Sequence, residues 1–237
     1  MSNIFRATKY QLMTFKSQSL MCLSIIAFNI LISITVTYLF PRSGIYAGSS
    51  DLIAFIFIFI LGIKIFITSF KFMLANAVSR KSLFWANILS MTIASIAWAV
   101  ILTLILSIIS RMNIKIFVLY TLIYNNYSVI STIVWFSTIF CLLIVIGWFI
   151  SMAYYRSSKR MAYLISFAPF ILSGLLIIIN QTTNGKLFDS ILKFIVASMG
   201  FSGSIPNPYI ASFSMLTCIV IICGFNYLLI RKAEIKA

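Results

Sequence analysis

Histidine is absent from this 237-residue chain, and only three carboxylates occur in it, Asp51, Asp189 and Glu234. General acid–base chemistry draws on histidine or on neighbouring carboxylates, and the helical zinc-protease motif needs two histidines. Hydrolysis and intramembrane proteolysis are therefore excluded, and no catalytic, cofactor-binding or metal-ligating residue is expected. Cysteine is also scarce. Cys22, Cys141, Cys218 and Cys223 each fall within an apolar stretch, none at the two-residue spacing of a metal or redox pair, so they read as small buried apolar side chains. A phosphate loop is missing too. Gly185 and Lys186 stand together, but Leu187 replaces the required Ser or Thr and Asn180 replaces the earlier Gly. The chain is not expected to hydrolyse ATP alone.

What is abundant is apolar surface. Hydrophobic residues make up 62% and charged residues 9%, against about 25% charged in a soluble domain, and no water-soluble fold hides that much hydrocarbon. About 20 apolar residues span a bilayer core of roughly 30 Å, and six windows of that length occur, at residues 19–40, 52–74, 84–110, 129–153, 161–180 and 210–230. The first is too long for a signal-peptide core of about 7 to 15 residues. The expected fold class is thus all-α, a polytopic membrane protein with six transmembrane helices in one domain over 1–237. Orientation follows from Lys and Arg, which are held on the cytoplasmic side. One side receives Arg6, Lys9 and Lys16, then Lys71, Arg80 and Lys81, then Arg156, Lys159 and Arg160, and finally Arg231, Lys232 and Lys236. The other receives Arg42, Arg111, Lys115, Lys186 and Lys193, with Lys64 inside a span. Both termini are expected in the cytoplasm. The net charge of +15 is spread in short clusters at membrane boundaries, not over one broad basic face, which argues against nucleic acid as a partner.

Three segments between spans carry their own patterns. Residues 1–18 place Ile4, Phe5, Thr8, Leu12 and Phe15 at helical spacing with Arg6, Lys9 and Lys16 on other faces, predicting an interfacial helix that bends into the first span. Residues 75–83 contain no Gly or Pro, so the chain is expected to leave the membrane as helix and turn along its surface before re-entering near Phe84. Residues 186–200 alternate Lys186, Asp189, Ser190 and Lys193 with Leu187, Phe188, Ile191, Leu192 and Ile195, predicting a short external amphipathic helix before the last span.

With these elements in place, the chain resembles the six-helix permease subunits of exporter-type ATP-binding-cassette (ABC) transporters. The resemblance covers most of the chain, and its most specific residues are Asn76-Ala77-Val78-Ser79-Arg80-Lys81 followed by Phe84; the Gly often found just before that motif is absent. Within the family, size and Ile/Phe-rich character look most like bacterial exporters of amphipathic peptides, such as the phenol-soluble-modulin and lantibiotic systems. The resemblance implies a bacterial cell membrane and a coupling helix seated in a groove of a separate ABC ATPase subunit, which would hold the ATP and Mg2+. In that role Arg80 and Lys81 would pair with acidic residues, Leu83 and Phe84 would fill an apolar groove, and Asn76 and Ser79 would supply hydrogen bonds. Six helices leave little room for a large conduit, so a second permease chain, identical or related, is expected beside this one. Membrane lipid and a peptide or other amphiphile substrate complete the partners.

For the path itself the sequence offers two polar stripes and one buried cation. Asn29, Ser33 and Thr37 recur every four residues, and Ser166, Ser173 and Asn180 every seven; each set either lines a conduit or serves helix-to-helix hydrogen bonding. Lys64, in company with Thr68 and Lys71, either lines an inner cavity for anionic groups or snorkels to the headgroups. The basic loop 154–160 reads as positive-inside anchoring or as a second ATPase contact. The competing class is a membrane immunity, regulatory or scaffold subunit that transports nothing. An ion-coupled transporter fits poorly, because Asp51 and Asp189 lie outside the expected hydrocarbon and no carboxylate relay is left.

Overall fold

Eight helices occur among the residues that this computed structural model describes, which are 2–39, 49–76, 78–111, 118–124, 128–183, 185–201, 203 and 206–231. The side chains of residues 2, 3, 65–69, 71, 74, 75 and 159 fall outside that description, so Thr68 and Lys71 enter only as backbone. The helices are α1 (Ser2–Leu39), α2 (Ser50–Ala75), α3 (Arg80–Arg111), α4 (Leu119–Tyr124), α5 (Val129–Arg156), α6 (Lys159–Thr182), α7 (Lys186–Ser198) and α8 (Pro208–Arg231). No strand occurs among the described residues. Five helices, α1, α3, α5, α6 and α8, are long and apolar enough to cross a membrane, so the protein is an all-helical chain of multi-pass membrane character.

The bend expected after residue 18 does not interrupt α1, which runs unbroken for 38 residues, about 57 Å at 1.5 Å per residue. The reason is packing. Ala7, Gln11, Phe15, Cys22, Ile26 and Ser33 are all buried and follow one another at steps of four or seven residues, so a single seam joins both halves of the helix to its neighbours. Gln11 donates to Asn87 and accepts from Ser90 Oγ at 2.6 Å, and Trp98 Nε1 donates to Ser19 at 3.2 Å. The N-terminal half therefore lies against α3, not alone on the membrane surface.

These pairs also fix helix direction. Residues 11 and 19 of α1 meet 87 and 98 of α3 in the same order, so those two helices run parallel. Asn29 meets Ser50 and Tyr10 stacks on Phe72, which sets α2 the other way. Phe55 lies against Phe136 and Phe70 against Tyr155, so α5 runs along α2. Phe84 meets Tyr227 and Arg80 meets Arg231, so α8 is antiparallel to α3. The start of α1, the α2–α3 turn and the ends of α5 and α8 consequently share one end of the bundle, where Arg6, Lys9, Arg80, Lys81, Arg156 and Arg231 collect.

Helix α5 is the central element, flanked by α2, α3 and α8, with α1 on α2 and α3. Backbones touch where α2 crosses α5: a methyl group at Gly147 would lie 2.6 Å from the Phe59 carbonyl oxygen and 2.9 Å from the Ile63 nitrogen, and one at Gly62 would strike the backbone of Ile144. Small residues allow such close crossings in membrane bundles. By contrast α6 packs appreciably only on α7, and no residue in its apolar stretch is buried.

At the opposite end Asp51 is fully buried. Its carboxylate accepts from the Leu119 N–H at 2.6 Å, from its neighbour Leu52 N–H at 3.1 Å, and from the Ser49 hydroxyl. A negative group at a helix start is favourable, and this one serves the starts of both α2 and α4. Asp51→Ala removes those charge-assisted bonds and strands the Leu119 donor, so thermal unfolding in detergent should show a loss of about 2–3 kcal/mol. The short helix α4 has no counterpart among the expected elements. It is held by Tyr120 and Tyr124, both buried, through bonds from Tyr120 to Ser131 and from Tyr124 to the Met199 carbonyl. Burial raises the Tyr124 pKa, so its hydroxyl keeps the proton it donates.

Candidate functional site

The α2–α3 turn was expected to be a helix running along the membrane surface, and among the described residues no separate helix is present there. Helix α2 closes at Asn76, whose N–H and side-chain Nδ2 both donate to the Phe72 carbonyl, at 3.2 and 2.8 Å, and the Val78 N–H donates to the Met73 carbonyl at 3.1 Å. Ser79 then starts α3. Its hydroxyl oxygen accepts from the Ser82 N–H at 3.2 Å and lies 2.9 Å from the Ser82 hydroxyl, while its carbonyl accepts from the Leu83 N–H. That is an N-cap, and a capping serine substitutes for the missing Gly or Pro as the break between two helices.

The cap divides the expected coupling residues into two groups. Asn76, Ser79, Arg80 and Lys81 are exposed. Leu83 and Phe84 are not: they are 1% and 7% exposed, and the Phe84 ring lies 5.1 Å from Tyr227 and 5.8 Å from Trp148. The two apolar residues belong to the core of this chain and cannot fill a groove on another protein. A pocket of about 330 Å³ adjoins the exposed group, lined by Arg6, Tyr10, Phe72, Met73, Asn76 and Val78 among others. The Tyr10 and Phe72 rings stack at 4.7 Å across it, so the start of α1 and the α2–α3 turn form one surface.

The polar stripes have structural partners. Asn29 accepts from Ser50 Oγ at 3.2 Å, and the Ser33 and Thr37 hydroxyls donate to the carbonyls of Asn29 and Ser33, four residues back. Ser33 is fully buried. On α6, Ser166 bonds to the Tyr154 hydroxyl and Ser173 donates to the Phe170 carbonyl. Asn180 accepts from the Phe188 N–H at 3.0 Å and so caps α7, whose preceding residue, Gly185, has φ +84° and no side chain to do it. The two stripes sit on helices that do not pack together appreciably. Lys64 is exposed on α2, two residues beyond the Gly62 crossing, and the side chain of Thr68 lies outside the described residues.

Sequence reasoning missed the polar contacts that tie α1 to α3, formed by Gln11, Asn87 and Ser90, all buried. Their signal is three amides and hydroxyls inside apolar stretches, but the partners are separated by more than seventy residues. Among the described residues no group of three His, Cys, Asp or Glu side chains comes together. Comparison with known proteins gives no match: no family model, no curated protein and no solved structure is similar to this chain.

Proposed function

We propose that this chain is the transmembrane permease subunit of an ATP-driven ABC exporter that moves amphipathic peptides or other amphiphiles out of a bacterial cell. It crosses the membrane six times, with α2 as the sixth span, and keeps both termini in the cytoplasm. The observation that carries this reading is the gathering of the start of α1, the capped α2–α3 turn and the end of α8 at a single basic end, since positive charge marks the cytoplasmic side. A soluble ATPase seated there would touch two helices at once through the exposed turn at Asn76 and Ser79. Helix α6 supports the second part of the reading. An apolar helix that, among the described residues, packs appreciably only on α7 suits contact with lipid or with a second permease chain, identical or related. ATP and Mg2+ belong to the ATPase partner, and this chain acts without catalytic residues.

Topology is open to a direct check. In a variant with the four native cysteines replaced by alanine, a single cysteine at Ser79 should react with a membrane-impermeant maleimide only after the cells are opened, and one at Ser128 should react in intact cells. The opposite pattern would place the basic end outside. For the function, the test is co-purification of the detergent-solubilised chain with an ABC ATPase from the same cell. A stoichiometric complex is expected. If the chain is correctly inserted and no ATPase is retained, an immunity, regulatory or scaffold role replaces the exporter.

A further inference from the structure

At the basic end, the first residues of α3 and the last residues of α8 enclose a pocket of about 480 Å³ lined by Ser79, Arg80, Lys81, Tyr227, Ile230 and Arg231. Three cations share its wall. No carboxylate is among the described lining residues, and Glu234, the only acidic residue near in sequence, lies outside the described residues. Arg80 is already oriented, because one guanidinium N–H donates to the Arg231 carbonyl at 2.7 Å. This bond is made to a carbonyl in the last described turn of α8 and leaves the other guanidinium donors to turn toward the pocket. Lys81 and the Arg231 side chain stand beside it, with the Ser79 hydroxyl and Tyr227 completing a donor-rich wall.

The surroundings say which anion fits. Trp85, one turn beyond Lys81, is 57% exposed, and Phe225 and Leu228 on α8 are 54% and 57% exposed. Exposed tryptophan marks the headgroup level of a bilayer, and exposed apolar side chains on α8, the helix that carries Arg231, offer a surface for acyl chains. We infer that Arg80, Lys81 and Arg231 bind the phosphate of an anionic phospholipid headgroup, with its chains lying along α8. A bound lipid there would clamp α3 to α8 and neutralise part of the charge gathered at this end. The inference holds whether or not an ATPase binds the neighbouring turn.

Native mass spectrometry of the full chain, purified alone in detergent and supplied with phosphatidylglycerol or phosphatidylcholine, tests it. The wild-type protein should retain phosphatidylglycerol in preference to phosphatidylcholine. Lys81→Gln and Arg231→Gln should each weaken that retention by about fivefold, with the melting temperature unchanged because both side chains are exposed and the Arg231 carbonyl is kept. Lys81→Arg should restore it. Equal retention of phosphatidylglycerol by wild-type and doubly substituted protein overturns the assignment. Displacement of the lipid by inorganic phosphate at comparable concentration also overturns it, in favour of a free-anion site. Loss of ATPase co-purification in the double variant with lipid retention intact overturns it in favour of a protein-docking surface.

Discussion

Gly147→Leu should leave no folded protein to purify, and Gly147→Ala should cost about 3 kcal/mol, the upper end of typical overpacking penalties. The methyl group of alanine would meet the Phe59 carbonyl oxygen at 2.6 Å and the Ile63 nitrogen at 2.9 Å, and neither atom belongs to a side chain that can rotate away. Relief requires α2 and α5 to separate, and those two helices form the most extensive contact in the bundle. Gly62→Leu should behave the same way, since its added carbons would strike the Ile144 backbone. The controls are Gly174→Ala in α6 and Gly224→Ala in α8, where nothing lies within 4 Å of an added methyl group. Both should leave the melting temperature unchanged or raise it, because alanine favours helix by roughly 0.5–1 kcal/mol over glycine. Thermal melts of the three alanine variants in one detergent distinguish a backbone crossing from a general intolerance of larger side chains.

Leu83→Asp should be nearly as damaging, by about 3–5 kcal/mol, because it places a carboxyl group without a partner where 1% of the side chain is exposed. Loss of ATPase binding in this variant would therefore report unfolding and not a lost contact. Ser79→Asp is the informative companion. Aspartate caps a helix as well as serine does, so the α2–α3 turn should survive and the melt should stay within about 0.5 kcal/mol of wild type. Its negative charge would nonetheless face whatever docks at the turn. If acidic residues of an ATPase seat there, association should weaken by about tenfold or more through like-charge repulsion, and Asn76→Asp should do the same. An unaltered complex in both variants would move the docking surface elsewhere.

The hydropathy of the sequence places most helices within a few residues, because a run of apolar residues of membrane length has few alternatives to helix. It fails at polar ends. Arg80, Lys81 and Ser82 form the first turn of α3 but fall outside the apolar window that opens at Phe84, and the N-terminal half of α1 looks like a separate element because Arg6, Lys9 and Lys16 keep it outside the apolar window that opens at Ser19. The unbroken helix results from tertiary packing, through Gln11, Ser19 and their partners on α3. Helix α4 is six residues long, too short for any periodicity to register, and depends on Asp51 for its first hydrogen bond. At the candidate site the exposed residues Asn76, Ser79, Arg80 and Lys81 could be picked from the sequence as a polar turn. The burial of Leu83 and Phe84 could not, since it depends on tertiary packing, for Phe84 on Trp148 and Tyr227 far along the chain. The polar stripes show the same limit. Their spacing is present in the helices, but back-bonding to carbonyls three or four residues earlier and the capping of α7 by Asn180 account for most of it.

The central claim, that this chain is the membrane part of an ATP-driven exporter, is tested most directly by transport in a closed system. The chain and its ATPase, co-reconstituted so that the ATPase faces outward, would be given a fluorescent amphipathic peptide, Mg2+ and either ATP or a non-hydrolysable analogue. With ATP, the peptide should accumulate inside the vesicles, protected from an external quencher, and the accumulation should disappear with the analogue and with Ser79→Asp. Equal peptide protection with ATP and with the analogue, in vesicles where the complex is shown to hydrolyse ATP, would contradict the claim.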